Sequence, residues 1–340
     1  MNFLGFNIDQ KPIIIAEVGI NHNGNLALAK EMIDAAVENG ADIVKFQTFT
    51  VEEFYVEDFA KSKKGWNRNT LFEDLKSLEF SEEEWFELKE HADQKGIMFL
   101  STPFSPKDVD LLAKLNVKGY KIASMDLSNP PFIRYIAQKG KPLILSVGMS
   151  TIKEIDIAIE SLIDFNIPIA LLYCVSLYPP TVDKVHLRSI ETLKRMYPHI
   201  PIGYSDHTIG IHVPIAAITM GAQIIEKHFT IDKNLPGPDQ KVSMDPSELK
   251  ILRQAADEIW SALGQTWKVL SKEEIEVGKV ARRSVVINRN MKAGEVIKEE
   301  DITLKRPGTG IPPYEVKHVI GRTLKVDVPH EHILQWEDLL

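Results

Sequence analysis

The sequence predicts an α/β protein, a (β/α)8 TIM barrel followed by a small, mostly β domain, and three observations carry that expectation. From Lys11 to about Gly264, short apolar runs alternate eight times with longer amphipathic segments. The runs are nearly continuous in their apolar character, the pattern of strands buried on both faces of a parallel sheet. After about residue 280 the rhythm gives way to short β-like runs and turns. A doubly wound open sheet is the structural rival, but it would usually use fewer units, and no GxGxxG follows the first run.

The expected strands, in order, are PIIIAEVG, DIVKFQT, IMFLSTP, GYKIAS, PLILSVG, PIALLYCVS, IGYSD and QIIEKH. Between them lie helical patterns such as ALAKEMIDAAVENG, which ends in a C-cap glycine at Gly40, and SEEEWFELKEHADQKG, which opens like a capping box at Ser81 and Glu84. One connection, Phe49 to Phe80, is far longer than the usual handful of residues and reads either as a lid or as partly helical decoration. Residues 1–264 are expected to form the barrel, 265–280 a linker, and 281–340 the β module, whose runs include RRSVVINRNMKAGEVI and DITLKRPGTGIPP.

Composition narrows the function classes. At 340 residues, with 44% hydrophobic and 26% charged, the chain can bury one large core and one small one. A net charge of -8, and no block of Lys and Arg interleaved with aromatics, point away from nucleic acid and toward small molecules or protein as partners. The single Cys174 rules out an intrachain disulfide or multi-cysteine zinc site and fits a cytoplasmic protein. The opening MNFLGFNIDQ lacks a basic segment before an apolar one, and no apolar run reaches ~18 residues, so neither secretion nor membrane insertion is expected.

If the barrel forms, function belongs where its strands end. Strand one ends at Glu17, two at Lys45 and Gln47, three at Ser101 and Thr102, four at Lys121 and Ser124, five at Ser146. Strand six ends at Ser176 and Tyr178, seven at Ser205 and His207, eight at Glu226 and His228. Singly each is weak evidence, because a strand must leave the core through something polar. The two histidines suit a Lewis-acid metal site with open positions; alternatively both are capping residues. Lys45 and Lys121 lie in apolar strands, where burial is costly unless they are paired. With the Ser and Thr donors they describe a cradle for a phosphate or carboxylate, the alternative being simple pairing with Glu17 or Glu226. Those two glutamates are the candidate acid and base groups or, equally, salt-bridge partners. Asn21, His22 and Asn23 shape the loop after Glu17, while His91, His186, His199 and His212 read as solvent-facing.

Taken in order, IIAEVGINHNG, VKFQT, STPF, YKIAS, SVGMS, SDHT, EKHFT, GPD (237–239) and RPGTGI resemble the sialic acid synthase family over essentially the whole chain. The β module resembles the antifreeze-like (SAF) domain of that family. The resemblance implies metal-dependent condensation of phosphoenolpyruvate with an N-acetylated mannosamine-type sugar to a nonulosonic acid. By position it implies a divalent ion, manganese with magnesium or cobalt as alternatives, on His207 and His228. Phosphoenolpyruvate would lie on Lys45, Thr102, Lys121, Ser124, Ser146, Ser176 and Ser205, and the sugar against Gln47, Tyr178, Glu226 and Asp239, with Glu17 an essential carboxylate. Arg306 would reach the other subunit's barrel in a domain-swapped homodimer; without the resemblance it reads as an exposed turn arginine. Ser176 stands where these synthases often carry asparagine, and Gln240 follows GPD where other residues are common, so both bear on the acceptor. GINHNG is closer to the sialic and legionaminic type, which implies N-acetylmannosamine or its 2,4-diacetamido-6-deoxy analogue. A pseudaminic acid or spore-coat polysaccharide synthase is the alternative within the family. Outside it stand a metal-dependent aldolase or hydrolase and a non-catalytic carbohydrate-binding protein.

Overall fold

The computed structural model describes residues 1–67 and 69–340. The chain divides into two compact units, Met1–Gly264 and Gln265–Leu340.

In the first unit eight parallel strands form a nearly closed barrel: Ile13–Gly19, Ile43–Thr48, Met98–Pro103, Tyr120–Ile122, Leu143–Ser146, Ile169–Cys174, Ile202–Asp206 and Ile224–His228. Each lies within one of the apolar runs read from the sequence. The first strand pairs with both the second and the eighth, which joins the ends of the chain order into a ring. Strands three and four complete it side by side.

Strand periodicity decides what faces inward. Ile13 and Ile15, Ile43, Leu100, Ile144, Ala170 and Leu172, and Ile224 pack into one cluster in the lower barrel. Two or four residues further along the same strands come Glu17, Lys45, Thr102, Ser146, Cys174, Glu226 and His228, so the upper interior is polar. The intervening residues, among them Ile14, Val44, Phe99, Leu145 and Ile225, pack outward against the helices in a second, larger cluster.

The helices follow local signals. Leu26–Glu38 starts at Asn25, whose side chain accepts from the Leu28 amide, and Gly40 beyond its end takes φ +87°. Glu82–Gln94 has the expected capping box between Ser81 and Glu84. The N-terminal hairpin of Asn2–Phe3 and Phe6–Asn7 escaped the sequence reading, its strands being too short to show periodicity; Phe3 and Ile8 from it join the lower barrel core.

The long 49–80 connection is partly helical and lends Phe49, Phe54, Tyr55 and Leu75 to the lining of the cavity at the barrel's carboxyl end. It holds the short helices Val51–Phe54, Glu57–Ser62 and Leu71–Lys76, and it builds an apolar cluster of Ile20, Phe49, Val51, Leu75 and Leu78 with Phe54, Tyr55 and Phe104 packed on it.

The linker expectation needs correction. Residues Lys272–Ala281 form a helix, nucleated by a capping box between Ser271 and Glu274. None of its residues is buried, and the Ser271–Glu274 spacing was the sequence signal the linker expectation passed over. The second unit otherwise pairs Ser284–Ile287 with Ile302–Lys305 antiparallel, around a small core that includes Val285, Ile287, Ile297, Leu324 and Leu334.

Candidate active site

At the carboxyl end of the barrel the strands enclose a cavity of about 340 Å³. Its lining includes Glu17, Lys45, Gln47, Thr102, Lys121, Ser124, Ser146, Ser176, Tyr178, Ser205, His207, Glu226 and His228, each of them named from the sequence. Asp239 lies beside it, its Oδ2 4.0 Å from His228 Nδ1. Arg306 is exposed on the second unit.

Register sets the charge arrangement. Glu17 stands opposite His228 on one side and Lys45 on the other, and Glu226 opposite Ser205. Lys45 Nζ lies 2.7 Å from Glu17 Oε2 and donates to Thr102 Oγ1 at 3.1 Å. Lys121 Nζ donates to Ser146 Oγ at 2.6 Å. Glu226 lies between the two cations, 3.8 Å from Lys45 and 3.6 Å from Lys121, and accepts from Ser205 Oγ at 3.0 Å. The pairing alternative for the lysines is therefore present, and it coexists with the cradle. Glu226 Oε2 is left without a hydrogen-bond partner, so the network is complete in charge and incomplete in donors.

These surroundings drive the two carboxyls apart. Burial pushes Glu17 up to about 7, against the pull of Lys45 and with the repulsion of Glu226. Burial also acts on Glu226, but Lys121, Lys45 and the Ser205 hydroxyl outweigh it and hold that carboxyl down at about 2. Lys121 is pushed down, chiefly by burial. One carboxyl can thus carry a proton near neutrality while its neighbour stays ionised.

The two imidazoles are kept neutral. Burial lowers His207 to about 4 and His228 to about 3, with mutual repulsion adding at His207 and the Lys45 charge at His228. Their ring centroids are 5.7 Å apart. His207 Nδ1 donates to the Val175 carbonyl at 2.9 Å, which leaves Nε2 as the lone-pair nitrogen. His228 Nδ1 is buried with no hydrogen-bond partner. Two neutral nitrogen donors with an unsatisfied atom between oxygen-rich walls fit a divalent ion with several open positions. Among the described residues no group of three or more His, Cys, Asp and Glu gathers for a closed metal cage.

The geometry adds residues the sequence reading passed over. Cys174 lines the cavity, its Sγ 3.1 Å from Ser124 Oγ, and the Gly148 amide donates to that hydroxyl at 3.0 Å. A Cβ at position 148 would fall 2.4 Å from Ser176 Oγ, 2.7 Å from Cys174 Sγ and 2.8 Å from Ser124 Oγ, so only glycine lets these three groups converge. The glycine and cysteine at two strand ends were the available signal. Asp206 and Lys227 form a fully buried pair at 2.6 Å on the outward face of strands seven and eight, with Tyr204 and Thr208 also bonded to Asp206. His22 is buried and stacked on Phe80 at 4.4 Å. Of the histidines read as solvent-facing, His186, His199 and His212 are exposed, but His91 is half-buried with Nε2 2.7 Å from Asp34, because its helix face turns toward helix Leu26–Glu38.

Comparison with known proteins accords with this geometry. Residues 32–268 match the NeuB family model and residues 282–340 the SAF domain model. The chain is 42% identical to an N,N'-diacetyllegionaminic acid synthase of Legionella pneumophila, over 96% of this chain and 94% of the relative. It is 33% identical to a pseudaminic acid synthase of Campylobacter jejuni, over 99% of each. A crystal structure of a sialic acid synthetase from Leptospira borgpetersenii, solved with citrate, aligns with TM-score 0.73 at 37% identity and covers 79% of this chain and 90% of that one. A barrel whose rim gathers these residues in this order, followed by a SAF domain, makes the chain a member of the NeuB family of sialic acid (nonulosonic acid) synthases.

Proposed function

We propose that the chain condenses phosphoenolpyruvate with N-acetylmannosamine or a 2,4-diacetamido-2,4,6-trideoxy-mannose analogue, giving a nonulosonic acid and phosphate. The observation that carries this reading is the pair of buried cations, Lys45 and Lys121, ringed by Thr102, Ser124, Ser146 and Ser205 a few ångströms from two neutral imidazoles. A phosphorylated carboxylate uses both cations and the hydroxyls together.

In this reading C3 of phosphoenolpyruvate forms a bond to the sugar aldehyde carbon, water adds at C2, and the tetrahedral intermediate expels phosphate with carbon–oxygen cleavage. Lys45 and Lys121 hold charge that persists throughout. Glu17, the carboxyl raised by burial, carries a proton to or from the reacting atoms, and Glu226 stays ionised beside the acceptor. Gln47, Tyr178 and Asp239 orient the sugar. A divalent ion such as manganese on His207 and His228 would supply electrophilic polarisation of the aldehyde. The greater identity to the N,N'-diacetyllegionaminic acid synthase of Legionella pneumophila than to an N-acetylneuraminate-9-phosphate synthase (42% against 33%) supports the diacetamido acceptor.

The working unit in this proposal is a homodimer in which Arg306 completes the partner's acceptor site. Support comes from the exposure of Arg306 and of apolar side chains on the second unit, Trp267, Val277 and Val280 among them. A cytoplasmic location is proposed from the single free Cys174; separately, no helix among the described residues is long and apolar enough to cross a membrane.

The test is phosphate release from phosphoenolpyruvate by metal-stripped protein, with and without manganese, against both acetamido sugars and unacetylated hexoses. Release that needs metal and one acetamido sugar is expected. Failure of phosphoenolpyruvate to bind the metal-loaded protein would sink the proposal.

A further inference from the structure

Beyond strand eight, residues 229–244 leave the barrel as a loop and return. Its base is closed by backbone bonds from Met244 N to His228 O at 2.7 Å and from Thr230 N to Met244 O at 3.0 Å. Asp239 is near the loop's far end, and most of its neighbours are half-buried or exposed. Between residues 231 and 241 the exception is Gln240, which has no exposed surface. Its amide donates to the Asn21 carbonyl at 2.9 Å and to the Pro236 carbonyl at 3.4 Å, and its oxygen accepts from Thr230 Oγ1 at 2.5 Å. One side chain thereby ties together the loop after strand one, the exit of strand eight and the turn before Asp239. Gly237, at φ +140°, lies against that side chain, where a Cβ would be 3.2 Å from Gln240 Cγ. A second tie runs from Asn21 Nδ2 to Ser243 Oγ at 2.8 Å, and that hydroxyl donates to the Asp239 carbonyl at 2.7 Å.

We infer that Gln240 is a positioning residue for the acceptor sugar: it locks the 229–244 loop onto the loop after strand one and so fixes the Asp239 carboxylate beside His228. The inference rests on the acceptor-site reading given above for Asp239. The physical reason is that the loop's ends are anchored by buried Phe229, Thr230, Val242 and Met244 while from 231 to 241 only Gln240 is buried, so the location of its functional carboxylate depends on a few buried hydrogen bonds. A buried amide with all three of its bonds made to different segments accepts few alternative arrangements. Displacement of a substrate-orienting group by about 1 Å is enough to cost on the order of 100-fold in rate.

Gln240→Met keeps volume and removes all three bonds. In the full-length metal-loaded protein it is expected to raise the acceptor KM by roughly 10- to 100-fold, while the phosphoenolpyruvate KM stays unchanged. Because the effect runs through Asp239, adding Gln240→Met to Asp239→Asn should change acceptor kinetics no further than Asp239→Asn alone. Equal rises in both KM values, or additive effects in the double variant, would overturn the inference. If Gln240→Met does not fold, Thr230→Val removes one of the same bonds and is read in the same way. Hydrogen exchange in the absence of substrates gives a readout independent of condensation. Residues 231–243 should exchange faster in Gln240→Met than in the unmodified chain, and unchanged exchange refutes the clamp. Faster exchange in a protein that condenses no amino sugar would remove the acceptor role.

Discussion

Glu17 and Glu226 sit on adjacent strands and share Lys45, yet burial wins at one and the cations win at the other. The difference is geometric: Glu226 lies between Lys45 and Lys121 and accepts from Ser205, while Glu17 has Lys45 alone within ion-pair distance. Removing one cation should therefore be felt mainly in anion binding. Lys121→Met is expected to raise the phosphoenolpyruvate KM by on the order of 30-fold or more, the usual cost of truncating a buried charge partner; steady-state kinetics at fixed sugar checks it. His22 offers a residue-scale test of stability. Its imidazole is neutral when folded down to about 3 and ordinarily titrates near 6.5. Above about 6.5 it contributes nothing to the pH dependence. As pH falls below that, the unfolded chain takes up a proton that the folded protein refuses, so stability declines until pH reaches about 3. The loss is at most about 5 kcal/mol. Denaturant titrations across that window should show a slope lower by close to one proton in His22→Phe than in the unmodified protein.

Single elements present these residues, and the exits of strands seven and eight matter most. Alternation sends Ser205 and His207 inward and Tyr204 and Asp206 outward, and in the eighth strand Glu226 and His228 inward and Lys227 outward. The outward Asp206–Lys227 pair, with Lys227 also donating to the Thr208 carbonyl, braces the two strand ends that carry both imidazoles. Because the pair is almost entirely desolvated, Asp206→Asn leaves a cation uncompensated and should destabilise the barrel by about 3–5 kcal/mol in chemical denaturation. A loss below about 1 kcal/mol would mean the brace is not formed as described. The 49–80 connection acts similarly from the other side. Its aromatic cluster gives the cavity Phe49, Phe54 and Tyr55, an apolar wall opposite the charged floor.

At the scale of the molecule the chain has two units with separate cores, and the proposed dimer assigns Arg306 of the second unit to the partner's barrel. If Arg306 works in the partner's barrel, Arg306→Ala and Glu17→Gln chains should each be inactive alone and complement each other when co-expressed. Random pairing would restore about a quarter of wild-type activity, since half the dimers are mixed and each mixed dimer has one intact site. Absence of complementation in a soluble mixed dimer would place Arg306 in its own chain's site or in none.

The alternation of apolar runs and amphipathic segments determined the barrel, because a strand buried on both faces and a helix buried on one leave local patterns that need no knowledge of the partner. The strand-end rule then located Lys45, Lys121, His207 and His228 in sequence. What it could not give was which neighbours each would meet. That Glu17 is raised depends on its burial in the closed barrel, and that Glu226 is lowered depends on Lys121, Lys45 and Ser205, from strands distant in the chain. That Gly148 and Cys174 belong to the site depends on convergence of backbone segments that carry no common local signal. The exposed helix Lys272–Ala281 was missed although Ser271 and Glu274 carry the capping-box spacing; its apolar side chains meet no core within this chain. Local pattern fixes where strands and helices form, while pKa values, clamps and donor sets are properties of contacts, and only the closed barrel makes those contacts.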